Sequence, residues 1–223
     1  MRIGVFGGTF DPVHLGHLIL AEQCREQARL DRVLFIPAAR PPHKQGQEVT
    51  PFAQRVEMLS LAIAGHPAFA IEELEKDRPG PSYTVDTLEE LHRRAPNVQW
   101  FLLVGSDCVP DLVHWRSPAR IGKLAEILIM ARPGYNVEDL VELHRRLQLP
   151  PELRLHQLVH APMVDLASRD LRRRVAEGQS VRYLVPRAVE CYLETHHLYR
   201  LGMASSAPPV PTDQEKKNRR DQV

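Results

Sequence analysis

The sequence predicts an α/β fold with a doubly wound parallel sheet. Short apolar runs recur along the 223 residues and alternate with segments of helical spacing. In the run 33–36 the apolar residues are contiguous, which favours a strand buried on both faces, as in a parallel sheet. Alternating strands and helices are connected most economically as parallel neighbours. Ligands of such sheets bind beyond the carboxyl ends of the strands, where the strand order reverses.

The apolar pattern also predicts where each element lies. Strands are predicted at residues 2–6, 32–37, 69–74, 98–104, 126–131 and 153–158. Helices are predicted to begin at 15 and at 117–118, and to span 51–64, 82–94, 137–148, 168–176 and 186–196. Thr50 is the predicted N-cap of the second helix, with Pro51 as its first residue, and Gly178 is predicted to terminate the sixth.

Composition sets the broad class. An apolar fraction of 43% and a charged fraction of 26% are typical of a globular protein, and no stretch reaches the length of a membrane span. The net charge of +1 gives no reason to expect nucleic acid or a membrane surface as a partner. Cys24, Cys108 and Cys191 form no metal pattern and suggest a reducing compartment. Because a strand is predicted from Arg2, no signal peptide is expected, and the cytoplasm is the default location.

The chain is expected to form one domain. Residues 1–202 carry the alternating pattern, whereas 203–223 contain three prolines, few apolar residues and a charge run at 215–221. Such a tail cannot bury a core and is predicted to be disordered. The sequence leaves open whether the chain forms a homo-oligomer.

The stretch 4–17 joins a strand, a glycine turn and the start of a helix. Gly7 and Gly8 let the backbone bend, or let a ligand approach it closely. Free N–H groups and the helix dipole at the following helix start suit phosphate. His14 and His17 are three residues apart and therefore share a face, from which two imidazoles could donate to polyphosphate oxygens.

Other interpretations of this stretch exist. A strand followed by two glycines is common in α/β proteins. The stretch is not the dinucleotide fingerprint, because the third glycine is misplaced, and it is not a P-loop, because no Gly-Lys-Ser/Thr follows. The two histidines could bind metal, but Asp11 is the one nearby carboxylate at ligand spacing, so no metal-ligating residues are assigned.

The whole string Gly-Gly-Thr-Phe-Asp-Pro-Val-His-Leu-Gly-His, residues 7–17, resembles the signature of the nucleotidyltransferase superfamily, and its end matches the His-x-Gly-His element. The resemblance implies a Rossmann-like nucleotidyltransferase fold, attack on the α-phosphate of a nucleoside triphosphate and release of pyrophosphate. His17 and His14 would be the catalytic residues, with His17 the first choice for the transition-state contact. The implied ATP contacts in this stretch are Gly7, Gly8, Thr9, Phe10, His14 and His17.

The loop 38–48 contains Pro-Pro-His-Lys at 41–44. By itself it is a solvated loop in which Lys44 is a mobile cation suited to phosphate. Its position after the second strand, and residues 55–58 in the next helix, are similar to those of bacterial nicotinate mononucleotide adenylyltransferases. The resemblance implies that Lys44 binds substrate.

The string 82–88, Ser-Tyr-Thr-Val-Asp-Thr-Leu, starts a helix. Ser82 or Thr84 could simply cap it, or its free N–H groups could bind a carboxylate. The string resembles the Ser-Tyr-Thr-x-x-Thr-Leu element that holds the nicotinate moiety in the same enzymes. That implies that Tyr83 and Thr84 lie at the pyridine carboxylate.

Gly105, Ser106 and Asp107 follow the strongest strand, and Trp115 stands eight residues beyond Asp107. The triplet suits a ribose hydroxyl, or it is an ordinary turn capped by Asp107. A tryptophan at the edge of a sheet more often packs against the core or the surface than binds a ligand. The family pattern implies that Gly105 and Asp107 contact ATP and that Trp115 stacks on the pyridine ring. Arg-Pro-Gly at 132–134 also matches a family element, without an assigned role.

A basic segment opens the helix predicted at 168–176. Ser168 is the predicted N-cap, and Arg169 and Arg172 share a face that could simply be solvated. The superfamily has Ile-Ser-Ser-Thr-x-x-Arg here, which grips the triphosphate. Ser168 and Arg172 match, whereas Ala167 and Arg169 replace a serine and the threonine. The guanidinium of Arg169 could supply a longer charged donor.

The resemblance implies transfer of an adenylyl group from ATP to nicotinate mononucleotide, which gives deamido-NAD and pyrophosphate in NAD biosynthesis. Mg²⁺ would bridge the phosphates with few protein ligands. Alternatives are the amide mononucleotide or pantetheine phosphate as acceptor, or a non-catalytic nucleotide-sensing module. The string 82–88 and Trp115 argue against pantetheine phosphate, and the altered positions 167–169 leave room for the sensing module.

Overall fold

The computed structural model describes residues 1–44, 46, 48–130, 140–146, 148–158, 162 and 164–200. Within them lies a six-stranded sheet of order β3-β2-β1-β4-β5-β6, in which every paired neighbour is parallel. The strands are β1 (Arg2–Gly8), β2 (Arg32–Pro37), β3 (Phe69–Ile71), β4 (Gln99–Gly105), β5 (Glu126–Met130) and β6 (Leu155–Leu158). The predicted α/β doubly wound parallel sheet is confirmed.

Helices alternate with these strands. They are α1 (Leu15–Gln27), α2 (Phe52–Ile63), α3 (Thr84–Arg94), α4 (Pro118–Leu124), α5 (Leu140–Arg146), α6 (Ser168–Ala176) and α7 (Arg187–Thr195), with 3₁₀ helices at Pro42–Lys44 and Ser106–His114. Most predicted bounds agree within a few residues. The N-cap prediction for α2 is wrong by one position, because Pro51 rather than Thr50 is the cap.

Two apolar cores lie on opposite faces of the sheet. Along β1, Val5 faces the core that contains Leu88 and Ile121 of α3 and α4. Its neighbour Phe6 faces the other core, which α1, α2, α6 and α7 cover. Successive side chains of a strand point to opposite faces, so contiguous apolar residues fill both cores.

The strand order fixes where a ligand can bind. The chain runs from β1 through β2 to β3 on one side and then crosses to β4, β5 and β6 on the other. The order therefore reverses between β1 and β4, and the segments that follow β1, β2 and β4 meet at one edge. These segments carry most of the residues singled out in the sequence.

None of the helices in the described ranges is long and apolar enough to cross a membrane. The Arg-Pro-Gly element at 132–134 and the tail at 203–223 lie outside the described residues. The single domain over 1–202 stays a prediction.

Candidate active site

Gly7 and Gly8, which the sequence predicted to form a turn, are the last residues of β1, and Gly7 is exposed there. A Cβ added at Gly7 would have no atom within 4 Å, whereas one at Gly8 would lie 2.9 Å from the ring of Phe10. Phe10 has a φ of 51° and a buried side chain that packs edge-on against Phe6, with ring centroids 5.6 Å apart. Gly8 therefore gives the ring room to fold beneath the turn, which leaves the main chain above it open to a ligand.

His14 and His17 stack with ring centroids 3.7 Å apart, but their environments differ. His14 is 1% exposed, whereas His17 is partly exposed. The backbone N–H of His14 donates to Nδ1 of His17 at 3.2 Å, so a neutral His17 carries its proton on Nε2 as a donor. A Cβ at Gly16 would lie 3.0 Å from Nδ1 of His14. The glycine of the His-x-Gly-His element thus makes room for the buried ring.

A buried carboxylate, Asp11, organises the other side of the turn. It is 2% exposed, and its Oδ1 accepts the hydroxyl of Tyr199 at 2.6 Å. Its Oδ2 lies 3.5 Å from the backbone N–H of Thr50. Arg172 donates to the backbone carbonyl of Asp11 at 2.6 Å and lies 3.8 Å from Oδ2. Sequence reasoning considered Asp11 only as a metal ligand and gave Tyr199 no role.

Arg55 joins this turn to the start of α2. The guanidinium is 1% exposed, and it donates from Nε to the carbonyl of Thr50 and from Nη1 to the carbonyl of Thr9, both at 2.8 Å. Burial lowers the pKa of Arg55, and the charge of Asp11 acts in the opposite direction. We call the set Asp11, Thr50, Arg55, Arg172 and Tyr199 the buried polar cluster.

Lys44 stands beside the buried polar cluster at the end of the 3₁₀ helix Pro42–Lys44. Partial burial lowers its pKa, Arg172 and Arg55 lower it further, and Asp11 opposes them. Three cations, Arg55, Arg172 and Lys44, thus interact electrostatically with the carboxylate of Asp11. Such an excess of positive charge attracts anions with several oxygens.

Helix α6 packs against the β1–α1 turn through its first residues. Ser168 donates its hydroxyl to the carbonyl of Pro12 at 2.9 Å. The predicted N-cap at Ser168 is wrong, because Ala167 is the cap and the Ser168 hydroxyl is engaged with the turn. Arg169 is 83% exposed and lies 3.9 Å from Asp170. The structure thus brings Ser168 to the turn but leaves Arg169 in solvent.

The loop that carries Lys44 is tied to the start of α3. The N–H of Ser82 donates to the carbonyl of Arg40 at 2.9 Å, and the N–H of Arg40 donates to the hydroxyl of Ser82 at 3.1 Å. Neither predicted cap, Ser82 or Thr84, is correct, since Tyr83 is the N-cap of α3 and makes no side-chain cap bond. The N-cap side chain therefore does not occupy the first-turn N–H groups of α3, a position that suits an anionic group.

Two aromatic residues lie close to this helix start: Tyr83 is its N-cap, and Trp115 precedes Arg116, which contacts Tyr83. Tyr83 and Trp115 are both half-buried and pack against the same core. The guanidinium of Arg116 lies 4.8 Å from the ring centroid of Tyr83 and 3.5 Å from the carboxylate of Asp86. We call Tyr83 and Trp115 the aromatic rim.

Comparison with known proteins places the chain in a family. Residues 5–174 match the model of the cytidylyltransferase-like family. The chain belongs to this family. It is 47% identical to a probable nicotinate-nucleotide adenylyltransferase of Thermomicrobium roseum, over 94% of this chain and 97% of the relative. It is 48% identical to a protein of the same name from Thermus thermophilus, over 90% and 100%. The resemblance inferred from the motifs is confirmed.

Solved structures of other proteins share the fold of this chain. Plasmodium falciparum nicotinic acid mononucleotide adenylyltransferase complexed with NaAD aligns with a TM-score of 0.74, at 15% identity, over 89% of this chain and 97% of that one. The same enzyme complexed with APC aligns with a TM-score of 0.73. At this identity the likeness concerns the fold alone.

The segment after β4 differs from its prediction. A turn capped by Asp107 was one expectation, but a 3₁₀ helix, Ser106–His114, begins directly after Gly105 and contains Pro110. Asp107 is half-exposed in its first turn, and Ser106 is buried. The Gly-x-Asp triplet, residues 105–107, thus lies at the end of β4, the strand beside β1.

Side-chain hydrogen bonds join Thr87 of α3 to two residues that precede this helix, and the sequence did not predict them. Thr87 donates its hydroxyl to Oε1 of Glu75 and accepts a bond from Nη1 of Arg78 at 2.8 Å. Glu75 and Thr87 are buried. Within the described residues, no donor reaches Oε2 of Glu75. We call Glu75, Arg78 and Thr87 the Glu75 network. The string 82–88 pointed to Thr87, but no sequence signal pointed to Glu75.

In the part of the chain that the structure describes, no group of three or more His, Cys, Asp and Glu side chains could hold a metal ion. Near the β1–α1 turn, Oδ1 of Asp11 accepts a hydrogen bond from Tyr199, and the backbone carbonyl of Asp11 accepts one from Arg172. An ion at this site would therefore depend on oxygens of a bound ligand.

Proposed function

We propose that this protein transfers the adenylyl group of ATP to nicotinate mononucleotide, which gives deamido-NAD and pyrophosphate. The observation that carries the proposal is the meeting of a cationic region and an aromatic rim at one edge of the sheet. The reciprocal hydrogen bonds of Arg40 and Ser82 join the two. The names of relatives at 47% and 48% identity support the same substrate pair.

The ATP phosphates would lie over the β1–α1 turn. There the exposed backbone at Gly7, together with Gly8, Thr9 and Phe10, offers N–H groups, and His17 offers Nε2. Ser168 and Arg172 reach the same turn, and Gly105 and Asp107 stand at the neighbouring strand end for the nucleoside. Lys44, between this turn and α3, would bind the phosphate of the mononucleotide.

No side chain acts as the nucleophile in this scheme. An oxygen of the mononucleotide phosphate attacks the α-phosphorus of ATP, and a new P–O bond forms as the bond to the bridging oxygen breaks. Pyrophosphate leaves with that electron pair. The protein contributes alignment and stabilisation of the developing charge, chiefly through His17 with His14 stacked behind it.

The pyridine ring would lie at the aromatic rim, stacked on Trp115. The unblocked N–H groups at the start of α3, near Tyr83 and Thr84, would receive its carboxylate. This arrangement favours the acid over the amide, because a helix N-terminus attracts negative charge. It also disfavours pantetheine phosphate, which has no ring to stack.

Mg²⁺ would accompany ATP and be held mainly by phosphate oxygens, where it neutralises charge. The described residues offer no cluster of acids to hold it alone. Cys24, Cys108 and Cys191 form no disulfide within the described residues, which supports a cytoplasmic location for the enzyme.

The decisive experiment measures pyrophosphate release with ATP, Mg²⁺ and one acceptor at a time: nicotinate mononucleotide, its amide or pantetheine phosphate. We expect the acid to give the highest kcat/KM, with deamido-NAD identified by chromatography. A preference for another acceptor would overturn the proposed substrate. Binding of ATP without pyrophosphate release for any acceptor would favour a nucleotide-sensing module.

A further inference from the structure

Tyr199 is held in a backbone conformation that aromatic residues rarely adopt. Its φ is 63°, and His197 two residues earlier has a φ of 51°. Left-handed conformations of bulky residues persist where the surrounding structure requires them. Here the conformation brings the Tyr199 phenol to Asp11, 188 residues away in the sequence.

The direction of the hydrogen bonds at this phenol is defined. Thr50 donates its hydroxyl to the oxygen of Tyr199 at 3.2 Å, and Tyr199 donates its own hydrogen to Oδ1 of Asp11 at 2.6 Å. The second oxygen of Asp11 faces the N–H of Thr50 at 3.5 Å. The hydrogen bonds to the carboxylate of Asp11 therefore come from neutral donors, Tyr199 and Thr50, although cations lie close by.

Arg172 forms a long ion pair with the carboxylate of Asp11 but no hydrogen bond to it. Arg172 Nη1 is 3.8 Å from Oδ2 and donates instead to the backbone carbonyl of Asp11 at 2.6 Å. Lys44 is near enough for the charge of Asp11 to act on it. A buried carboxylate beside two cations competes with a ligand phosphate for them.

We propose that Tyr199 is a positioning residue that supplies Asp11 with a neutral donor and so keeps Arg172 and Lys44 available to the phosphates of ATP. The identity of the ligand rests on the proposed function. Tyr199 does not touch the reacting atoms in this scheme, and it acts through Asp11.

The test is Tyr199→Phe, which removes one hydroxyl and keeps the ring. We expect the ATP dissociation constant, measured by calorimetry without acceptor, to rise about five- to tenfold, the size of effect that the loss of one typical hydrogen bond gives. Because the hydroxyl acts on ground-state binding, KM for ATP should rise with it while kcat changes less than about twofold.

Tyr192→Phe is the matched control. Tyr192 also donates its hydroxyl to a carboxylate, that of Glu57, but on α7, outside the site. This variant should bind ATP as the wild type does. Equal dissociation constants for both variants and the wild type would overturn the proposal.

A second comparison separates competition for cations from simple support of the fold. In an Asp11→Asn background no carboxylate remains to compete, so Tyr199→Phe should no longer weaken ATP binding. An undiminished loss there would overturn the proposal. If Asp11→Asn does not fold, Thr50→Val takes its place: it removes the donor to the phenol oxygen, and unchanged ATP binding would count against the scheme.

The outcomes for the two proposals differ. A wild type that binds ATP but does not use nicotinate mononucleotide contradicts the proposed function and leaves the Tyr199 test intact. A wild type that does not bind ATP contradicts both.

Discussion

The buried polar cluster and the Glu75 network are both built from buried charges, but they connect the chain differently. In the cluster, hydrogen bonds join residues 46, 161 and 188 positions apart. In the Glu75 network the separations are 9 and 12. The cluster can form only when both ends of the chain have folded onto the sheet, whereas the network belongs to one connection, from β3 to α3.

The two regions also balance charge differently. Cations outnumber carboxylates around Asp11, and neutral donors satisfy the carboxylate itself. In the Glu75 network, Arg78 reaches Thr87 rather than the carboxylate, and one oxygen of Glu75 has no donor in the described part of the chain. The cluster is thus suited to attract phosphate, while the network only holds the backbone beneath the aromatic rim.

The largest effect should follow from breaking the cluster at Arg55. In Arg55→Met the carbonyls of Thr50 and Thr9 lose their buried donors, and Asp11 loses a neighbouring cation. We expect the free energy of unfolding to fall by about 3 to 5 kcal/mol, as when one partner of a buried charged network is removed. Urea denaturation followed by circular dichroism measures this.

Arg93→Met is the matched control, because Arg93 lies on the exposed face of α3 with a surface ion pair to Glu90. It should leave the urea midpoint unchanged. Equal midpoints for the two variants would show that the cluster does not support the fold.

The next effect concerns catalysis rather than stability. His17→Ala removes the partly exposed imidazole at the β1–α1 turn and should lower kcat for pyrophosphate release about a hundredfold, near 3 kcal/mol, as for other lost transition-state donors. The fold should survive, as seen by circular dichroism. His92→Ala, on the exposed surface of α3, serves as the control. An unchanged kcat would remove His17 from the mechanism.

The fold could be predicted because its determinants are local and repetitive. Contiguous apolar residues such as Val33 and Phe35 predicted buried parallel strands, and both are fully buried. The helix over Ser168–Ala176 was predicted with the bounds that the structure has. Caps were less predictable, because the hydroxyls of Ser82 and Ser168 serve partners elsewhere in the chain.

The buried polar cluster could not be predicted in the same way. An arginine in an amphipathic helix is normally exposed, so nothing in the pattern of α2 showed that Arg55 is buried. Tyr199 lies 188 positions from Asp11 in the sequence, so their contact depends on the complete topology. Motif resemblance predicted His17, Lys44 and Arg172 as ligand-binding residues, which stays a prediction, but it did not indicate the hydrogen bond between Asp11 and Tyr199.

A smaller effect is expected on the KM values of the two substrates, which should respond differently to a change in the Glu75 network. Thr87→Val removes the hydroxyl that links Glu75 to Arg78 and keeps the side-chain volume. The start of α3 should then shift, so we expect KM for nicotinate mononucleotide to rise about five- to tenfold, while KM for ATP stays within about twofold. Steady-state kinetics with each substrate varied in turn measures both.

Thr87→Ser, which keeps the hydroxyl, should restore the wild-type KM for the mononucleotide. If Thr87→Val instead raises both KM values equally, the Glu75 network supports the whole site, and the contrast with the buried polar cluster disappears.

The smallest predicted effect is a shift in pH dependence at Lys44. Burial, Arg172 and Arg55 lower the pKa of Lys44 and Asp11 opposes them, so Lys44 loses its charge at a lower pH than an exposed lysine does. kcat/KM should fall as the pH rises through this lowered pKa. In Lys44→Arg the charge persists, and the alkaline limb should move to higher pH. Lys123→Arg, on the exposed surface, should keep the wild-type profile. Coincident profiles for all three proteins would show that a group other than Lys44 titrates there.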